Sequence, residues 1–252
     1  MSHLDRQDDI LTILTKEKSI SVDKLAKLLY VSEATIRRDL QRMDNLGLLR
    51  RTHGGAIVMK DTAHESAYAL RESENIFSKK HMCQLAVQEI RDHDVVYIDS
   101  SSTMLSIIPH LQRFKHITVI THGIRTALML SNLENVEVYI VGGKVENFSN
   151  SILGSTSVDF YNQMNADVAL LSCSGISIHG EITDNSIEHA TLKRKMIEKS
   201  KKIVLLVDHT KFGKTFMTRS FNFADIDVFI TDQIPDKFYV DKIKSFGCDL
   251  KY

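Results

Sequence analysis

From residue 95 onward the chain is punctuated by six short apolar runs, at 95–98, 117–120, 136–141, 168–171, 203–207 and 228–230. Most are continuous rather than alternating, which is the pattern of strands buried on both faces. Stretches with helical spacing lie between them, for example 104–111, 124–130, 189–199 and 237–244. Strands that alternate with helices predict a mostly parallel α/β sheet. The only prolines are Pro109 and Pro235, so little interrupts these elements.

The first 60 residues read differently. Ile10, Leu11, Ile13 and Leu14 form an apolar face at helical spacing. Ser21 is placed to cap a helix carrying Val22, Leu25, Ala26, Leu28 and Leu29. Ser32 is placed to cap another that runs from Glu33 to about Leu46, with Gly47 as its C-terminal stop. Two helices joined by about three residues, the second rich in arginine, predict a helix-turn-helix.

At 100° per residue, Ile36, Leu40 and Met43 share one face of the arginine-rich helix and should pack inward. The opposite side carries Ala34, Arg38, Gln41 and Asn45, flanked by Thr35, Arg37 and Arg42. Arg and Gln make bidentate contacts to guanine and adenine edges in the major groove. Arg37 and Arg42 are better placed for phosphates. The alternative is a solvated face in which Arg38 and Arg42 surround Asp39. Beyond the helix, two apolar segments flank a turn containing Gly54 and Gly55, whose positive φ would suit a tight hairpin. This predicts a small β-wing with Arg50, Arg51 and His53 near its tip. Such a wing can lie along the phosphates or enter the minor groove.

Charge follows the same division. The chain carries 32 Lys and Arg against 32 Asp and Glu. Residues 1–60 hold 11 basic and 8 acidic side chains, and residues 61–252 hold 21 and 24. A basic module beside a mildly acidic remainder fits a small nucleic-acid-binding domain joined to a different one. The hydrophobic fraction of 43% excludes disorder. No apolar stretch approaches membrane-spanning length. The N-terminus lacks the apolar segment of a secretory signal. Three scattered cysteines, Cys83, Cys173 and Cys248, fit a reducing cytoplasm better than a disulfide frame.

The run Val31-Ser32-Glu33-Ala34-Thr35-Ile36-Arg37-Arg38-Asp39-Leu40, then Gly47, then Arg51-Thr52-His53-Gly54-Gly55-Ala56, resembles the DNA-binding signature of the DeoR family of bacterial transcriptional regulators. The resemblance implies a winged helix-turn-helix that binds operator DNA. It points to Ser32, Thr35, Arg37, Arg38, Gln41, Arg42, Arg50, Arg51 and His53 as DNA contacts. The expected organisation is a small all-α winged helix-turn-helix domain at 1–60, a connector at 61–78 leading into a helix near 79–91, and an α/β effector domain at 79–252.

Ligands of open parallel sheets bind beyond the carboxyl ends of the strands. The first run ends in Asp99-Ser100-Ser101-Ser102-Thr103, hydroxyls at a helix start that could cradle an anion. The others end in Thr121-His122-Gly123, Gly142-Gly143-Lys144, Ser172-Cys173-Ser174-Gly175 and Asp208-His209-Thr210-Lys211-Phe212-Gly213. Each carries small, hydroxyl-bearing, acidic or basic residues, and the five converge on one polar pocket suited to a phosphorylated polyol. Each loop taken singly is also an ordinary turn, and Lys193 and Lys211 could be solvated charges.

This half also resembles the family. Asp99 to Thr103 is similar to its D-S-G-T-T loop, Gly142-Gly143 to its paired glycine, and Asp208 to Gly213 to its D-x-x-K-F-G segment. Glu188 and the run 190–196, with Lys193, are similar to its preceding helix, and Arg71, Asn75 and Lys79 to an Arg…Asn…Lys spacing. The resemblance implies a sheet similar in fold to ribose-5-phosphate isomerase and a phosphorylated-sugar effector. The strand-end loops and the resemblance together mark Asp99, Ser100, Ser101, Ser102, Thr103, Thr121, Gly142, Gly143, Gly175, Glu188, Lys193, Asp208 and Lys211 as the expected effector residues. Ser101 departs from the family's glycine, and His122-Gly123 from its Asn-Ser.

The expected partners are operator double-stranded DNA, a phosphorylated sugar and further copies of the chain, as a dimer or tetramer, with no membrane. No cofactor or metal is expected. The histidines lack metal-ligand spacing and there is no CxxC. The leading expectation is a repressor of a carbohydrate-catabolism operon, relieved by its effector. The alternative is a sugar-phosphate isomerase using Asp99, Asp184, Glu188 or Asp208 as base and Lys211 for charge stabilisation.

Overall fold

A computed structural model of the chain describes residues 6–7, 9–10, 13–14, 17–45, 49–57, 68–147 and 149–252. The chain divides into two compact units, 1–74 and 75–252.

The N-terminal unit is organised around Ile10, Leu14, Leu25, Ile36, Leu40, Met43 and Leu49, each at most 1% exposed. Helix α1 (Val22–Leu29) is capped by Ser21, whose Oγ accepts from Lys24 N at 3.2 Å. It ends at Tyr30 in the left-handed region, φ 55°. Ser32 then caps α2 (Glu33–Asn45), accepting from Thr35 N at 3.2 Å. The expected stop at Gly47 lies outside the described residues, as does Leu11. Asp39 is buried in α2 and accepts from Arg6 Nε at 2.6 Å.

The wing is the hairpin of β2 (Arg50–Thr52) and β3 (Gly55–Ile57). Thr52 pairs with Gly55, which leaves His53 and Gly54 at the tip. A third strand that the apolar patterning does not reveal, β1 (Ser19–Ser21), pairs antiparallel with β3. The two glycines act differently from expectation, since neither has positive φ. Gly55 is required by close approach instead. A Cβ there would lie 2.0 Å from Ile20 O and 2.8 Å from Ser21 Cα, because β1 is paired closely against it.

Two helices, α3 (Tyr68–Ser73) and α4 (Ile76–Ala86), follow, with 3-10 turns at Val87–Glu89. Helix α4 thus begins three residues before the expected start at Lys79, and α3 occupies part of the expected connector. Residues 61–67 lie outside the described residues.

The C-terminal unit is built on a seven-stranded sheet. Its strands are β4 (Val95–Ile98), β5 (Ile117–Thr121), β6 (Val136–Ile140), β9 (Ala166–Leu171), β12 (Ser200–Leu206), β14 (Val228–Ile230) and β15 (Asp249–Lys251). Their order is β15-β14-β12-β9-β4-β5-β6 and every pairing is parallel. The continuous apolar runs are the central strands. Val96, Tyr97, Ile98, Ala169, Leu170 and Leu171 are all 0% exposed.

Crossovers include α5 (Ile124–Leu130), α6 (Ser155–Asn162), α7 (Ile187–Glu198) and α8 (Lys237–Ser245). The expected helix at 104–111 winds as 3-10 turns over Met104–Arg113, around Pro109, which has no N–H to give. Short antiparallel pieces decorate the sheet. They are the hairpin of β7 (Lys144–Glu146) and β8 (Ser151–Leu153), and the set β10 (Gly175–Ile176), β11 (Ile182–Asp184) and β13 (Thr218–Phe221).

Candidate functional site

Two surfaces carry the chemistry. The first belongs to the N-terminal unit. Helix α2 turns Ile36, Leu40 and Met43 fully inward. Ser32, Arg37, Arg38, Gln41 and Arg42 are exposed, and Thr35 is half-buried. Ser32 Oγ and Thr35 Oγ1 lie 2.9 Å apart. Arg37 is paired with Glu33 one turn back at 2.8 Å, and Arg38 Nε reaches Ala34 O at 3.4 Å. Arg50, Arg51 and His53 are exposed on the wing. Arg51 ties the wing to α2: its guanidinium donates to Gln41 Oε1, and its N–H donates to Asp44 Oδ1 at 3.2 Å. Gln41 thus accepts from Arg51 through its side-chain carbonyl oxygen.

The second surface is the carboxyl edge of the parallel sheet. Strands β12, β9, β4, β5 and β6 are consecutive neighbours, so the loops after them lie side by side. Asp99, just past β4, is wholly buried. It accepts from Ser101 N and from Ser172 N, both at 2.8 Å. Ser172, just past β9, donates to Leu206 O and accepts from Lys211 Nζ, again both at 2.8 Å. Lys211 is 3.8 Å from Asp208, just past β12. Asp208 also accepts from Thr210 and from Asn75 Nδ2, the latter at 3.3 Å. Lys79, from α4, donates to Ser102 Oγ at 3.3 Å.

Lys193, on α7, joins this edge to β11. Its Nζ is 2.8 and 2.9 Å from the two oxygens of Asp184 and 4.0 Å from Asp99. Asp184 further accepts from Ser174 N, Ser174 Oγ and Ser220 Oγ, at 3.1, 3.1 and 2.6 Å. Burial alone would raise the Asp184 carboxyl, but Lys193 and Ser220 hold it below its ordinary value. Burial likewise pulls the Lys193 ammonium down, and Asp184 and Asp99 reverse this. Asp208 behaves as Asp184 does, with Lys211 and Thr210 outweighing its desolvation. Nearby, burial pushes the Cys173 thiol up to about 12.

Not every expected effector residue joins the cluster. Glu188 stands exposed at the start of α7 and accepts from Ser186 Oγ at 2.7 Å. Gly142 O accepts from Ser157 Oγ at 2.8 Å. Gly143, at φ 151°, leaves no room for a Cβ beside Leu153 O, and Gly175 leaves none beside Lys214 O. Gly143 and Gly175 thus serve close packing, whereas a Cβ on Gly142 would meet nothing within 4 Å. Thr121 Oγ1 closes its own turn, accepting from Gly123 N at 3.0 Å, and Thr103 is buried with its carbonyl receiving Cys83 Sγ at 3.4 Å. Ser100 is buried within the loop.

The sequence names Asp184 only as a candidate base of the isomerase alternative and Ser174 only as a strand-end loop residue, and it gives no sign of Ser220. Strands β11 and β13, three and four residues long, are too short to register as apolar runs. Among the described residues, no three His, Cys, Asp or Glu side chains gather to hold a metal ion. No helix there is long and apolar enough to cross a membrane.

A winged helix-turn-helix joined to an α/β unit with a polar strand-end cluster defines a transcriptional regulator. Residues 6–62 match the DeoR-like helix-turn-helix domain, and residues 74–233 match the DeoR C terminal sensor domain. The chain belongs to the DeoR family. It is 31% identical to the HTH-type transcriptional regulator GolR of Listeria innocua over 252 residues, 100% of this chain and 99% of that protein. It is 35% identical to the HTH-type transcriptional repressor GlcR of Bacillus subtilis over 243 residues, 96% of this chain and 93% of that protein. Among solved structures, ribose 5-phosphate isomerase A of Methanocaldococcus jannaschii is similar over 53% of each chain, with a TM-score of 0.39 and 13% identity. The chain is a regulator rather than an enzyme, and the isomerase alternative is not favoured.

Proposed function

We propose that this regulator represses a carbohydrate-catabolism operon and releases its operator when a phosphorylated sugar binds at the carboxyl edge of the sheet. The DNA-contacting set is Ser32, Thr35, Arg37, Arg38, Gln41, Arg42, Arg50, Arg51 and His53, within a DNA-binding part at 1–60. The effector part is 79–252, reached through 61–78. The protein acts in the cytoplasm as a dimer or tetramer, since palindromic operators call for two-fold symmetry.

The observation that carries this reading is the meeting of three lysines, Lys79, Lys193 and Lys211, with hydroxyls and buried carboxylates at the ends of neighbouring parallel strands. Ammonium groups and hydroxyl donors suit a phosphoryl group, and the carboxylates suit sugar hydroxyls. The effector can shift DNA binding only through unequal affinity for the DNA-bound and free states.

A thermal-shift screen tests it, because a ligand that binds only the folded state raises apparent stability. Phosphorylated sugars should raise the melting temperature, and the same compounds should weaken operator binding in a gel-shift titration. No shift with any phosphosugar would remove the effector half of the proposal.

A further inference from the structure

His122 is the first residue after β5 and is 0% exposed. Its Nδ1 lies 3.1 Å from Tyr161 Oη. Its Nε2 is buried and has no hydrogen-bond partner among the described residues. A buried nitrogen left so costs free energy unless something meets it. Burial is the main reason the imidazole stays neutral, and the nearby His189 and Lys193 push the same way. Burial, with Tyr97 and Asp99 adding to it, keeps the Tyr161 phenol protonated. When that phenol donates to Nδ1, the neutral ring carries its proton on Nε2, and Nε2–H is a donor looking for an oxygen.

The same corner holds three more buried oxygens without partners: Ser101 Oγ, Thr126 Oγ1 and Ser149 Oγ. Thr126 Oγ1 lies against Gly123, and the segments that carry Ser101 and Ser149 adjoin the same turn. A Cβ on Gly123 would lie 2.8 Å from Thr126 Oγ1 and 3.1 Å from Ser100 Cα, the residue before Ser101. The segment bearing Ser149 is bonded to the same turn, with Ile124 N donating to Asn150 O at 2.8 Å and Ile152 N to His122 O at 2.7 Å. In contrast, the lysines and aspartates of the other loops are met by one another, by Ser172 and by backbone N–H groups. The strand-end surface thus has a charged half over β4, β9 and β12 and an uncharged half, rich in unmet hydrogen-bonding groups, over β5.

We propose that His122 is a specificity-determining residue of the effector site, whose Nε2–H donates to a hydroxyl or ring oxygen of the carbohydrate, with Thr126 and Ser149 meeting further hydroxyls. This rests on the effector reading above and assigns the carbohydrate end of the ligand, as distinct from its phosphoryl end, to the β5 corner. The effector is accordingly a phosphorylated compound with at least two hydroxyls beyond its phosphate. Inorganic phosphate lacks the part that this corner reads.

Calorimetric titration of the full chain tests the proposal with three probes: ribose 5-phosphate, fructose 1-phosphate and inorganic phosphate. His122→Asn keeps an amide near Nδ1 for Tyr161 but places nothing at Nε2. His122→Gln returns an amide nitrogen near Nε2. The sugar phosphate that binds wild type should bind His122→Asn about ten- to a hundredfold more weakly and His122→Gln within severalfold of wild type, with phosphate binding unchanged in both. Thr126→Val should lose affinity for the same compound without losing melting temperature, since its hydroxyl has no partner to give up. A structural role would instead lower the melting temperature and leave the affinity of the folded fraction intact. Wild-type affinity in folded His122→Asn and Thr126→Val would overturn the proposal. Failure of both sugar phosphates to bind wild type, while phosphate binds, would overturn it as well, because the uncharged corner would then add nothing. Failure of all three probes to bind wild type would instead strike the effector reading beneath it.

Discussion

Lys193 and Asp184 form a two-oxygen ion pair, 2.8 and 2.9 Å, with side chains only 7% and 5% exposed. Two buried charges hold each other in a place where either alone would be costly. Removing one partner of such a pair costs about 3–5 kcal/mol. Asp184→Asn should therefore lower unfolding stability by that order at pH 7. The Asp184 carboxyl is held below its ordinary value in the folded chain. Its contribution is full above the unfolded pKa of about 4 and is lost as pH falls through the folded value. Urea titrations from pH 7 to pH 3 should show a shallower acid loss in Asp184→Asn than in wild type. Parallel curves would mean that the carboxylate is not coupled to folding.

His122 gives a second and earlier acid limb. The buried imidazole is held well below 6.5 in the folded chain, first by burial and then by His189 and Lys193. The unfolded chain takes up a proton near pH 6.5 that the folded chain refuses, so stability is full above that pH and falls below it. His122→Gln cannot titrate. Between pH 7 and pH 5 its stability should decline less than that of wild type. Equal declines would show that the ring is protonated in the folded state.

Much of this was legible in residue order. The central strands bury both faces, so their side chains are apolar throughout, and the two serine caps announce α1 and α2. The strand-end loops follow because parallel strands present them on one edge. What stayed hidden depends on pairing between distant segments. Strand β1 is three residues of ordinary composition until β3 lies beside it. Asp184 becomes central only because β11 carries it to Lys193, and the sequence cannot show that Gly143 and Gly175 pack against other backbone. The division of the site into a charged half and an uncharged half also needs coordinates, since it turns on which hydroxyls are already bonded.

Gly55 offers a test of the wing. Its Cβ position is 2.0 Å from Ile20 O, a backbone atom that cannot rotate away. Gly55→Ala must push β1 from β3 and should cost the N-terminal unit about 1–3 kcal/mol. Hydrogen exchange reads this locally. The amide of Val22, which donates to Gly54 O at 2.9 Å, should lose protection together with the β1–β3 ladder. The amides of β9 should be unaffected, and undiminished protection at Val22 would show that the hairpin yields at no cost.

Arg38 and Arg42 should separate sequence reading from charge. Both are exposed on α2, one turn apart, on the side opposite Ile36 and Leu40. Arg38 lies at the centre of that face, and loss of a bidentate base contact costs about 1–3 kcal/mol of discrimination. Arg38→Ala should weaken operator binding roughly 5- to 150-fold and relax the preference at one base pair. Arg42, on the flank, is placed for a phosphate. Its loss should weaken operator and unrelated DNA alike and reduce the slope of log affinity against log salt by about 1. Fluorescence titrations of both variants on operator and scrambled DNA, at several salt concentrations, distinguish these effects. A uniform loss for Arg38→Ala, with base preference intact, would move it from the reading face to the phosphates.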